Sequence, residues 1–464
     1  MESHRGESST YRLIVMRRSA SEILLVPTGA GLGMPRLIIQ PCQRVAEQLT
    51  VGLSRVWGVE GYCLMIRSLP TCSRDGEPRW AILESVQQND AARTGAVWVP
   101  RGELDSCVGP DQAQVIWDSL KELNASAKNE ESGPFSRPGW LRDLFHWTQE
   151  QIAPLGLRLT GAFQQLNASP VFSLIRMETQ DRAVWFKATG APNSHELRVT
   201  VALARIFPAS LPQILGVHPG WNGWLAAEAE GTPLYNTTDF AAWQHTAEKL
   251  AQLQIASIEK TAKLRETAQL RDLRLPTLAK QIGPFLSRMS ELMSAQEKLS
   301  PAPLARSELR TLAEGLEESC ALLARSHFPD ALGHIDLSPG NVLVSGDRCV
   351  FLDWAEGCIS HPLMTFEYLR TYLDRTGIEN PAASERLTAA YLRPWIPFYS
   401  SDELRREMAL SPLVAVFVYA VANDSWRSPD LFRDASRAAY FRGLTRRMYR
   451  EAIKAARRSE LCLS

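Results

Sequence analysis

Between Gly333 and Trp354 the chain reads GHIDLSPGNVLVSGDRCVFLDW, with His334, Asp336 and Asn341 spaced as HxDxxxxN and Asp353 closing the next apolar run. Phosphoryl transfer from a magnesium nucleotide needs a carboxylate to orient the attacking hydroxyl and oxygen ligands to hold the metal on the phosphates. Asp336 suits the first task, and Asn341 and Asp353 suit the second. His334 reads as a brace for the loop, because that chemistry already has its base. The rival reading is a loop with two ordinary carboxylates beside a structural hairpin. The Asn at its spacing and the second Asp at the end of the following run favour the chemical one.

Those groups need a scaffold that brings them together. Val342 to Val344 and Val350 to Leu352 are apolar runs on either side of Ser345, Gly346 and Asp347, which predicts a β-hairpin. Pairing Val344 with Val350 and Val342 with Leu352 would set Asn341 opposite Asp353 at the open end. Pro339 and Gly340 let the loop from Asp336 turn sharply. Upstream, Val184 to Lys187 reads as a strand delivering an ammonium, and Glu196 opens a helical run through Leu203. A Lys and Glu so placed could pair and hold the lysine on nucleotide phosphates; a surface Lys and a helix-starting Glu are the plain alternative. The segment Asn167 to Val171 sits where a phosphate-covering loop would fall, but it contains no glycine. Ser169 could still offer a hydroxyl and an N–H there, or the segment is an ordinary turn. Glu228 to Gly231, after an apolar strand at Gly223 to Ala227, reads as a hinge.

The length of 464 residues exceeds one ordinary core. A polar stretch, 126–139, is the candidate linker between an accessory domain at 1–125 and a second region at 140–464. In the first region, strand-like runs at Leu13–Met16, Ile23–Val26, Tyr62–Ile66, Trp80–Leu83 and Ala96–Val99 surround one helical segment, Val45–Trp57, which predicts a small α/β or α+β domain. The second opens with an amphipathic helix at Trp140–Ile152 and continues strand-rich to about residue 232. From Asp239 the pattern is helical, interrupted only by the hairpin. The 51 basic and 51 acidic residues cancel, so no net field draws the chain to nucleic acid or membrane. No apolar run is long enough to span a bilayer and no signal-like segment opens the chain, so a cytoplasmic location is expected. Eight cysteines without a CxxC pair predict reduced thiols rather than disulfides or zinc.

At GHIDLSPGNVLV, VFLDW and GCISHPL (with His361 and Pro362), in that order, the chain resembles the aminoglycoside phosphotransferase and choline kinase-like family over roughly residues 140–447. The resemblance implies a protein-kinase-like fold, with a small β-rich lobe at 140–232 and a helical lobe at 233–464. It also implies ATP and Mg2+ as cofactors, Asp336 as catalytic base, Asn341 and Asp353 as metal ligands, and Lys187 with Glu196 as the phosphate-positioning pair. The whole chain is thus expected to be α+β. The partner is expected to be a small molecule bearing a hydroxyl, and nothing in the sequence sets the oligomeric state.

An acceptor that is a polycation would need acidic groups. Glu356, Glu367, Asp374 and Asp424 are the candidates, each more simply a solvated helix residue. The final helical stretch is basic, with Arg437, Arg442, Arg446, Arg447, Arg450, Lys454, Arg457 and Arg458, a pattern read as a solvated face or packing partner. The N-terminal region resembles the Nudix fold in its helix and following strand, Val45 to Ile66. Where that fold carries catalytic Glu and Arg residues this chain has Gln43, Val51, Gly52, Arg55 and Val56, so diphosphate hydrolysis is not expected. Two other readings stay open, a nucleotide-sensing pseudokinase and nucleotidyl rather than phosphoryl transfer.

Overall fold

The structure is a computed structural model. It describes residues 8–463 except 18–19, 30, 42, 68–78, 87–93, 127, 129–132, 327, 374, 376–381 and 423. Contacts divide the chain into two compact units, residues 1–197 with 213–228 and residues 198–212 with 229–464. The first is rich in sheet and the second in helix, so the α+β expectation holds.

In chain order the first unit contains β1 (Ser9–Arg17), β2 (Glu22–Thr28), β3 (Gly31–Gly33), β4 (Arg36–Ile39), α1 (Val45–Trp57), β5 (Gly61–Arg67), β6 (Arg79–Ser85), β7 (Val97–Pro100), α2 (Leu104–Cys107) and α3 (Pro110–Ser126). Then come α4 (Trp140–Ile152), β8 (Leu159–Ser169), β9 (Phe172–Thr179), β10 (Val184–Thr189), α5 (Glu196–Ile206, which crosses into the second unit), β11 (Ile214–His218) and β12 (Gly223–Ala227). The predicted strands and helix all form. Helix α3 was not anticipated: its buried Ala113, Ile116, Leu120 and Leu123 are dispersed among polar residues, so the apolar face is narrow. A seven-stranded sheet is built on β3-β2-β1-β6-β5, with β4 on β1 and β7 on β2. A five-stranded antiparallel sheet follows the order β11-β12-β10-β9-β8.

The two sheets share a hydrophobic core. Ile14, Met16, Leu64, Leu120 and Leu123 cluster with Trp140, Leu144, Ile175, Val184, Phe186 and Leu225. The described part of the segment read as a linker packs rather than dangles. Phe135 and Ser136 are buried, and Ser136 Oγ donates to the Leu64 carbonyl at 3.2 Å. The Gly139 N–H donates to Glu84 Oε2 at 2.6 Å, and the Tyr62 phenol donates to the same oxygen. Burial and then the neighbouring Glu84 raise the Tyr62 phenol far above its ordinary range, so the donor stays protonated. Between the sheets, buried Gln165 acts as a strand rung. Its side chain accepts from the Cys63 N–H at 2.7 Å and donates to the Cys63 carbonyl at 3.0 Å. Both strands carry a register irregularity at this point.

The second unit adds β13 (Thr232–Pro233), α6 (Phe240–Ser257), α7 (Thr261–Ala268), β14 (Arg271–Leu273), α8 (Leu275–Ser294) and α9 (Arg306–Arg325). It continues with β15 (Ala331–His334), β16 (Val342–Ser345), β17 (Arg348–Phe351), β18 (Gly357–Ser360), α10 (Pro362–Leu373), α11 (Ala383–Leu392), α12 (Ser401–Val421) and α13 (Ala435–Leu463). Trp243, Phe285, Phe366, Tyr391, Trp395, Phe417 and Phe441 fill its core. The hairpin is not its only β structure: β14, β18 and β15 form a further small sheet. Strands of three or four residues are too short to show period-two patterning, which is why they escape a sequence reading. Among the described residues no helix is long and apolar enough to cross a membrane.

Helix α13 is anchored by its arginines. Arg442 donates to the Leu292 carbonyl at 3.0 Å and Arg446 to Ala302 O at 2.9 Å, so the basic stretch serves in part as a packing partner at the end of α8. Cys63, Cys320, Cys349 and Cys358 are buried free thiols and Cys107 is half-buried. Burial pushes Cys320 and Cys358 up to about 12, which keeps them protonated and inert. Cys42 and Cys72, and the side chain of Cys462, lie outside the described residues.

Candidate active site

The loop that carries Asp336 is fixed by its neighbours before any ligand is considered. Gly333, on β15, lies so close to β18 that a Cβ there would stand 2.5 Å from Ser360 Oγ, so only glycine admits this approach. The next residue, His334, is buried; its N–H donates to Thr365 Oγ1 at 2.9 Å, and its Nε2 lies 2.9 Å from the Leu352 carbonyl. Its Nδ1 accepts from the Asp336 N–H at 3.3 Å. His334 therefore braces both the loop and the hairpin, as the sequence suggests.

The Asp336 carbonyl accepts from the Ser338 N–H at 2.8 Å and from Asn341 Nδ2 at 2.9 Å. The second bond fixes the Asn341 amide: with its nitrogen committed to the loop, Oδ1 is the atom left to act as an acceptor or metal ligand. Asp336 itself accepts at Oδ1 from the Tyr368 phenol at 2.8 Å. Sequence reasoning did not find Tyr368. It lies 32 residues away on α10, and only its helical i,i+4 relation to Tyr372 marks it.

The hairpin forms, but its register differs from the expected one. Val342 pairs with Phe351 and Val344 with Cys349, and the turn is only Gly346–Asp347. Gly346 takes φ +53°, the positive value that two-residue hairpins need because their turn must match strand twist. Counting Arg348 and Cys349 as strand rather than loop shifts the pairing by one. Asn341 then faces Leu352, whose N–H donates to the Asn341 carbonyl at 2.8 Å, and not Asp353. A one-residue slip sends a side chain to the opposite face. Here the chain leaves strand geometry at Asp353, which sits in the left-handed region (φ 62°, ψ 61°) and is exposed. Such a conformation costs a non-glycine residue about 1–3 kcal/mol and concentrates at functional sites.

In the first unit, Lys187 Nζ lies 2.5 Å from Glu196 Oε1. The carboxylate side chain is 1% exposed and the lysine 15%. Lys187 comes from the centre of the five-stranded sheet, paired with Leu174 and Trp224, and Glu196 from the first turn of α5. Replacing Lys187 by Met should cost about 3–5 kcal/mol, because it takes a charged partner from a buried carboxylate. Thermal denaturation checks this, and adding Glu196→Gln should restore much of the loss. Ser169 ends β8 at a two-residue turn. Its hydroxyl accepts from the Val171 N–H at 3.3 Å and contacts the Phe172 carbonyl at 3.4 Å, the bonding of an ordinary turn. At the hinge segment, Glu228 pairs with Arg176 at 2.6 Å, and that hydrogen bond lowers the carboxyl below its usual range.

The acidic candidates for a cationic acceptor mostly have partners within the protein. Glu356 pairs with Arg271 at 2.5 Å and Asp424 with Arg427 at 3.0 Å. Glu367 is buried between Arg370 at 2.6 Å and Ser411 at 2.9 Å. Asp374 lies outside the described residues. Among the described residues no cluster of three or more His, Cys, Asp or Glu side chains could hold a metal.

Residues 192–403 match the model of the phosphotransferase enzyme family. No curated protein matches the chain significantly. Among solved structures, the GDP complex of an aminoglycoside 2'-phosphotransferase is 14% identical with a TM-score of 0.45, covering 66% of this chain and 97% of its own. A choline kinase from Cryptosporidium parvum is 10% identical with a TM-score of 0.45, covering 68% and 96%. An ethanolamine kinase from Plasmodium vivax is 15% identical with a TM-score of 0.42, covering 63% and 81%.

Proposed function

We propose, on the premise that residues 192–403 belong to the phosphotransferase enzyme family, that this protein transfers the γ-phosphoryl group of Mg-ATP to a hydroxyl of a small molecule. The observation that carries the reading is the braced loop on which Asp336 and Asn341 share one backbone carbonyl contact, with Asp353 at the end of the same hairpin. Asp336 orients the acceptor hydroxyl and takes its proton. Asn341 Oδ1 and the Asp353 carboxylate would hold Mg2+, which would neutralise phosphate charge when bound. Lys187, held by Glu196, supplies a further positive charge to the phosphates. Ser169 is given no part beyond its turn. The N-terminal domain, Nudix-like in its α1 and β5, is a scaffold without hydrolase activity, since α1 presents Gly52, Arg55 and Val56 where metal-binding carboxylates would be needed. The expected setting is the cytoplasm.

The test is calorimetric titration with Mg-ATP, paired with intact-mass analysis of products formed from a fractionated cytosolic extract. The account expects saturable binding and a product heavier by one phosphoryl group. Binding without consumption of ATP would mark a sensor, and a product carrying a nucleotidyl group would mark the other transfer chemistry.

A further inference from the structure

Four tyrosines gather beside Asp336 in the second unit. The Tyr368 phenol donates to Asp336 Oδ1 at 2.8 Å and lies 3.2 Å from the Tyr372 phenol. Its ring is 5.5 Å from that of Tyr372 and 5.3 Å from that of Tyr419. Tyr440, 47% exposed, has its phenol raised by burial and then by the neighbouring Tyr419. The residues come from α10, α12 and α13, and Tyr368 on α10 is the one that reaches the carboxylate.

Two features give this cluster a role beyond packing. The first is chemical: the carboxylate assigned to receive an acceptor hydroxyl already receives a hydroxyl, at the distance a substrate would adopt. A carboxylate turns easily about its last torsion, so a donor fixed on one oxygen holds the other in a defined direction. Tyr368 can serve this purpose because it is itself held by Tyr372 and Tyr419. Burial, then the bonds to Tyr372 and Asp336, raise its phenol far above the ordinary range, so it remains a donor at all working pH values. The second feature is electrostatic. A cation of the protein itself, Arg375, already lies 5.0 Å above the Tyr372 ring, while the described acidic candidates are paired with arginines.

We infer that Tyr368 is the positioning residue of Asp336 and that, with Tyr372, Tyr419 and Tyr440, it lines the acceptor subsite, which takes a hydroxyl compound with a flat, uncharged face rather than a polycation. This rests on the phosphotransfer reading. In the transfer the acceptor O–H proton passes to Asp336 Oδ2 as the oxygen bonds to the γ-phosphorus. The bond from that phosphorus to the bridging oxygen breaks, and the electron pair leaves with the nucleoside diphosphate.

The experiment uses the full chain as wild type, Tyr368→Phe and Asp336→Asn. Mg-ATP consumption is measured with water alone, with benzyl alcohol and with kanamycin. Wild type should consume ATP faster with benzyl alcohol than with water or kanamycin. Tyr368→Phe should lose roughly ten- to hundredfold in kcat with benzyl alcohol, with the KM for Mg-ATP and the melting temperature unchanged. Wild-type kcat in Tyr368→Phe, a fall in kcat matched by a fall in melting temperature, or a preference for kanamycin would overturn the inference while leaving phosphotransfer intact. Equal consumption by wild type and Asp336→Asn under all three conditions would overturn this inference alone, whereas equal labelling of a fractionated cytosolic extract by the two proteins would overturn the phosphotransfer reading, and this inference with it.

Discussion

Replacing Asp336 by Ala is expected to lower turnover by about 10^2- to 10^4-fold, the span for loss of a positioned general base, while Mg-ATP still binds. The separation follows from how the loop is held. Its shape depends on backbone groups: the Asp336 carbonyl receives Ser338 and Asn341, and the Asp336 N–H reaches His334. The side chain contributes the contact to Tyr368. Removing the carboxylate therefore takes away the proposed proton acceptor and leaves Asn341 in place. Calorimetry with Mg-ATP should give a dissociation constant within about threefold of wild type, a difference of less than 1 kcal/mol. If binding and turnover fell together, Asp336 would be a structural residue.

Removal of residues 1–125 is expected to leave the rest of the first unit unable to fold. Domains joined by a linker usually survive separation, because each owns its core. Here Trp140, Ile175, Val184, Phe186 and Leu225 share a cluster with Ile14, Met16, Leu64 and Leu120. Trp140 is fully buried, its ring 6.1 Å from Tyr62. Losing most of the partners of even one such side chain costs about 3–5 kcal/mol, comparable with the whole stability of a small domain. Gln165 would also lose both bonds to Cys63. The truncated chain should be insoluble, or should lack a cooperative thermal transition for its N-terminal part. A soluble, cooperatively folding, nucleotide-binding fragment would show that the N-terminal domain is separable.

Much of this could be read in the residues. Helices α1 and α4, strands β1, β2, β5, β6, β7, β10 and β12 of the first unit and the hairpin at 342–351 follow from apolar periodicity, and Lys187 does meet Glu196. Three things could not be read. The hairpin register turned on whether Arg348 and Cys349 belong to turn or strand, and a polar residue next to a cysteine carries no period to decide it. The packing of the segment 133–139 was hidden because Gly, Pro and Ser signal a break in regular structure, which says nothing about burial. Tyr368 was hidden because a hydrogen bond across 32 residues is a property of the fold rather than of local sequence.

The most direct measurement of the central claim follows the phosphoryl group. Wild-type protein and Asp336→Ala, both full length, are incubated with magnesium, ATP labelled in the γ-phosphate and a fractionated cytosolic extract, and small molecules are separated from protein and nucleotide. The account predicts label in a small hydroxyl compound with wild type and none above background with Asp336→Ala. Absence of labelled small molecule with wild type, or equal labelling by the variant, would contradict it.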